Sequence, residues 1–291
     1  MISQQKPAIT YGWLRAVLAL IFFILLYVLL ILGFNSIYKQ LAGHNFRSDS
    51  SQGALLLAAL IINGCFFLTA YLFRKFIDRK SFMSEGFRWS SAYARTGLFT
   101  ALFVIVGGTA FLLLFGYLHF TVVTFTLYPF LINIFIFILV AFGEEIFFRG
   151  YLLNNLMQNM HKWVALIISA IFFMLMHLDN PGAAITFLPV LSVFIGGILF
   201  GINYIYTKNL WFGICLHFLW NFLQGPVLSY DVSGTPVTGI FKHSLSGSSF
   251  ITGGVFGFEG SAVCVCLSAV SIITLVVFYE RKMQQQFTGN R

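Results

Sequence analysis

Eight apolar runs, each close to the length needed to cross a bilayer, constrain this chain more than any other feature. They lie at roughly 13–34, 53–73, 96–117, 128–153, 163–178, 186–206, 210–228 and 261–279. A transmembrane helix takes about 20 mostly apolar residues. Backbone inside lipid must satisfy its own polar groups, which selects helices or closed barrels. The expected fold is all-α, a polytopic membrane bundle of about eight transmembrane helices. The run at 163–178 is short, and that at 128–153 is long with charges near its end, so these two depart most from a standard span. Composition agrees: 9% of the 291 residues are charged and 59% are hydrophobic, against about 25% charged in soluble domains.

The net charge of +8 would suit nucleic acid if it were clustered on a soluble surface, but its placement points to membrane topology. Arg74, Lys75, Arg79, Lys80, Arg88 and Arg95 fall between two apolar runs, where basic residues set orientation. With the N-terminus inside, the inner segments hold these six together with Lys6, Arg15, Arg149, Lys162, Lys208, Arg281, Lys282 and Arg291. The outer segments hold Lys39, Arg47 and Lys242. That bias predicts an integral membrane protein of a bacterial cytoplasmic membrane with both termini cytoplasmic, in contact with lipid and not with nucleic acid. Cys65, Cys215, Cys264 and Cys266 lie in apolar stretches and form no CxxC pattern. The first run is too long for a signal-peptide core and has no small-residue cleavage site after it. Three parts are distinguished: N-terminal helices at 1–127, a chemistry-bearing core at 128–228, and a Gly/Ser-rich outer segment with a last helix at 229–291. The stretch 229–260 reads as a flexible outer connection or as a cover over a membrane site.

Ionisable side chains within a span are expensive and mark functional sites. The fourth run contains Phe142-Gly-Glu-Glu-Ile-Phe-Phe-Arg149, which places Glu144 roughly 13 Å from the inner helix end at 1.5 Å per residue. Glu145 and Arg149 are four apart with the acid first, the favourable order for an ion pair on one helix face. Glu144, rotated about 100° from Glu145, is left without that partner. The fifth run ends in Phe173-Met-Leu-Met-His177, so Phe173 and His177 share a face. The seventh carries His217-Phe-Leu-Trp-Asn221, which pairs His217 with Asn221 in the same way. Singly, these are also the polar contacts that hold membrane helices together. Together they offer a carboxylate, two imidazoles and an amide on three helices.

The ordered set Glu-Glu-x-x-x-Arg (Glu144, Glu145, Arg149), Phe-x-x-x-His (Phe173, His177) and His-x-x-x-Asn (His217, Asn221) resembles the motifs of the CPBP family. That is the CAAX-protease and bacteriocin-processing (ABI) family, which includes the type II CAAX prenyl endopeptidases. The resemblance covers roughly residues 130–225. It implies a conical eight-helix bundle with a cytosol-facing intramembrane cavity, in which a membrane-associated peptide or protein substrate is cut. It further implies that Glu144, with His177, activates a water, and that His217 and Asn221 form an oxyanion hole. Glu145, Arg149 and Phe173 support the site. A zinc version of the same protease would use Glu144, His177 and His217 as ligands, although no HExxH is present. The cofactor expectation is therefore none, or Zn. Two other classes remain open: a proton-coupled transporter, for which intramembrane Glu, His and Arg are equally suited, and a non-catalytic membrane immunity or scaffold protein.

Overall fold

The computed structural model describes residues 6–46, 49, 51–183 and 187–288; Arg47 and Arg291, counted above for orientation, and the first residue of the 186–206 run lie outside them. Each apolar run folds as a helix: α1 (Gly12–Ala42), α2 (Gln52–Ile77), α3 (Ser91–Leu114), α4 (Leu127–Leu156), α5 (Lys162–Leu175), α6 (Phe187–Thr207), α7 (Trp211–Phe222) and α8 (Ala262–Thr288). Six of them, all except α5 and α7, are long and apolar enough to span a membrane. The expectation of about eight full spans is therefore met by six, with two shorter helices between them. At 1.5 Å per residue, the 14 residues of α5 reach about 21 Å, short of the roughly 30 Å hydrocarbon core. α5 stops because the chain turns at Met176, and α7 passes into a π-helical turn, Leu223–Val227, that contains Pro226.

One hydrophobic core runs from Ala16 in α1 to Tyr279 in α8 and includes residues from all three parts distinguished above. The large apolar side chains outside it, such as Leu25, Leu29, Phe99, Leu114 and Phe278, face outward as lipid-contacting residues do. Close helix approach uses small residues, as is usual in membranes. A Cβ on Gly97 of α3 would stand 2.4 Å from the Phe212 carbonyl oxygen of α7.

The two ends of the bundle differ. At one end, Asp78 is fully buried between two arginines: Arg15 Nη1 donates to its Oδ1 at 2.7 Å and Arg74 Nη1 to its Oδ2 at 2.8 Å. Asn155 and Tyr151 of α4 also donate to it, at 3.3 and 3.4 Å. Arg15 and Arg74 thus tie α1, α2 and α4 together, besides contributing to the charge bias for which they were first singled out.

At the other end, two strands depart from the all-α expectation. β1 (Leu118–Val123) pairs antiparallel with β2 (Phe241–Leu245), with an irregularity between Phe120 and Val122. The 229–260 segment is accordingly held down and is no free connection. Gln224 Nε2 donates to the Asp231 carbonyl at 2.7 Å, the Gly234 amide donates to the Phe256 carbonyl at 3.0 Å, and Phe256 and Phe258 are buried.

Candidate active site

Glu144 is the last α-helical residue of α4 before the helix widens into a π-helical stretch, Glu145–Leu153. Such widened turns are frequent at functional sites, and the i, i+4 spacing survives this one. Arg149 Nη1 donates to Glu145 Oε1 at 2.7 Å with both side chains buried. The guanidinium also donates to the Gly197 carbonyl at 3.0 Å and lies over the Phe173 ring, 4.6 Å from its centroid. A buried ion pair needs such additional partners to offset desolvation. Phe173, expected to pack beside His177, therefore also carries the charge of Arg149.

Glu145 has a second partner that spacing along one helix did not reveal. Its Oε1 lies 3.2 Å from His217 Nδ1 on α7. The approach depends on Gly213, where a Cβ would stand 2.4 Å from Glu145 Oε2. With Nδ1–H directed at that carboxylate, His217 Nε2 points the other way and stands 4.0 Å from Glu144 Oε2. Phe200 of α6 packs on the His217 ring at 4.8 Å between centroids. No motif in the sequence marks Phe200.

His177 lies just beyond the end of α5. Its Nδ1 is 2.8 Å from the Phe173 carbonyl, one of the oxygens that a helix end leaves unpaired, and its ring packs on Phe173 at 4.5 Å. With Nδ1–H donated there, Nε2 again carries the free lone pair. Asn221, one turn beyond His217, is buried. Glu144, His177, His217 and Asn221 all line one cavity of about 340 Å³, with Asn133, Phe137 and Val140 of α4 and Ala59 and Ile62 of α2. Among the four, Glu144 Oε2 is buried without a hydrogen-bond partner.

The far wall of the cavity is formed by Val232, Ser233, Thr235, Pro236 and Val237 of the 229–260 segment. Glu259 fastens this wall: its Oε1 accepts from the Ser233 amide, and its Oε2 accepts from Trp220 Nε1 of α7 at 3.3 Å. Glu259 went unrecognised in the sequence, where the only hint was an acid inside an otherwise Gly- and Phe-rich run. Within the 229–260 segment, burial raises the pKa of the Asp231 carboxyl and lowers that of His243.

A zinc ion at this site would need Glu144, His177 and His217 to converge on it. Both imidazoles have Nδ1 engaged by an oxygen and Nε2 free, the arrangement typical of histidine ligands. Among the described residues, however, no three His, Cys, Asp or Glu side chains converge at metal-ligand spacing. As arranged, the donor set does not close around an ion.

Residues 124–223, which contain every one of these motif residues, match the family model described as Type II CAAX prenyl endopeptidase Rce1-like. That match supports membership of this segment in the CAAX protease family. The matched segment covers a third of the chain's length and nearly coincides with the 128–228 core. No curated protein matches the chain. The match supports intramembrane endopeptidase activity in general terms. The cavity lining and the basic ends of the helices lie toward opposite ends of the bundle.

Proposed function

We propose that this protein hydrolyses a peptide bond of a membrane-associated polypeptide, using Glu144 as the base that activates water. The observation that carries this reading is the Glu144 carboxylate, whose Oε2 is buried without a hydrogen-bond partner and which lines a cavity shared with two imidazoles oriented through their Nδ1 atoms. Glu144 takes a proton from a water whose oxygen attacks the substrate carbonyl carbon, with His177 helping to hold that water. The carbonyl oxygen becomes the oxyanion, toward which Asn221 and the Nε2–H of a protonated His217 donate. The proton held by Glu144 then passes to the leaving amine as the C–N bond breaks. General acid–base catalysis of this kind contributes about 10²–10⁴-fold. Each oxyanion donor is worth about 10²–10³ in other hydrolases.

The test is cleavage of membrane polypeptides by Glu144→Gln, His177→Ala and His217→Ala variants inserted at wild-type levels. Each is expected to abolish cleavage, and full activity in Glu144→Gln would remove that residue from its role. The zinc version is favoured by one observation, the pair of free Nε2 atoms. In that version Glu144, His177 and His217 would be the ligands, and their present arrangement does not close around an ion.

A further inference from the structure

The lining of the cavity comes from one end of the bundle only. α2 contributes Leu55 to Ile62, while its opposite end carries Arg74 to Lys80; α4 contributes Asn133 to Glu144, while Arg149 lies deeper along the same helix. The remaining wall is the 229–260 segment, whose Thr235 and Pro236 are exposed at the rim. Of the 17 Lys and Arg, 15 fall among the described residues, and only Lys39 and Lys242 lie toward this end. The other 13 lie toward the opposite end. Lys and Arg are retained on the cytoplasmic side of membrane proteins, and α1 begins and α8 finishes at the basic end.

We infer that the catalytic cavity opens to the non-cytoplasmic side of the membrane, so that its substrate is a membrane-anchored polypeptide whose scissile bond lies on that outer side. A tail held on the cytoplasmic leaflet faces the basic end, where Arg15, Arg74, Asp78, Tyr151 and Asn155 form a buried network. The 229–260 segment stands between the outer solution and Glu144, and a substrate must pass between Val232–Val237 and the outer halves of α2 and α4. The substrate statement rests on the protease reading above; the orientation does not.

Orientation is read with single added cysteines and a membrane-impermeant maleimide on intact spheroplasts, with the parent protein as the blank for its own four cysteines. Thr235→Cys at the rim is expected to label equally before and after permeabilisation, and Lys80→Cys at the basic end only after it. The reverse pattern, or labelling of both sites in intact spheroplasts, overturns the inference. Pro236→Cys repeats the rim measurement if Thr235→Cys does not reach the membrane. Labelling is independent of turnover, so it reads the same in a Glu144→Gln background. If labelling fits but no polypeptide is cut, the protease reading fails alone. If cut sites map to cytoplasmic segments, the orientation is wrong and the protease reading stands.

Discussion

Glu145 sits at the junction of two demands, one structural and one chemical. It neutralises Arg149 within α4 and orients His217 across from α7. Glu145→Gln leaves Arg149 without its counter-charge in a buried site. Removing one partner of a buried pair typically destabilises by about 3–5 kcal/mol. Thermal unfolding in detergent is expected to show this loss, together with lower activity from a less fixed His217. Glu144→Gln, by contrast, is expected to leave the unfolding temperature near the parental value, since no hydrogen bond fixes its Oε2 and its ionic neighbour, His217 Nε2, stands 4.0 Å away. Chelation separates the two versions of the chemistry at the same scale. Activity of purified protein is expected to survive removal of divalent metal; stoichiometric zinc whose loss abolishes cleavage would move Glu144, His177 and His217 into the role of ligands. The Glu145–Arg149 pair was legible in the sequence because i, i+4 geometry is local to one helix. The Glu145–His217 contact was not, because it depends on how closely α4 approaches α7 at Gly213.

At the level of elements, the 229–260 segment acts as a wall of the site, held by β-pairing and by Glu259. Its Gly- and Ser-rich composition carries no helical or strand period, so the sequence left open whether it was a flexible connection or a cover. What fixes it are contacts distant in the chain: the β1–β2 ladder and the Glu259 bridge from Ser233 to Trp220. Glu259→Ala leaves the buried Trp220 indole N–H unpaired, at a cost of about 1–3 kcal/mol. Glu259 is a positioning residue in this account. Limited proteolysis of Glu259→Ala is expected to cut within 229–260 faster than in the parent, with the unfolding temperature falling less than in Glu145→Gln. Unchanged cutting would show that the strand pairing alone holds the wall. The two short helices follow the same logic. Their motifs were visible, but the turn at Met176 and the π-helical exit through Pro226 shorten them in ways that hydropathy does not encode.

Across the whole molecule, the helical runs, their order and the charge asymmetry were all legible in the sequence, because lipid imposes long apolar segments and a biased placement of Lys and Arg. The direction in which the cavity opens was not legible, because it depends on which half of each helix is splayed. That geometry sets the motif residues about midway along α4, beneath a wall on the less basic side. The most direct test of the central claim is a comparison of membrane peptides from cells carrying the parent protein and cells carrying Glu144→Gln at equal membrane levels. The account expects a defined set of polypeptides that stay uncut in the Glu144→Gln cells, with their cleavage sites in outer segments next to a membrane anchor. Identical peptide sets in the two kinds of cell would contradict it.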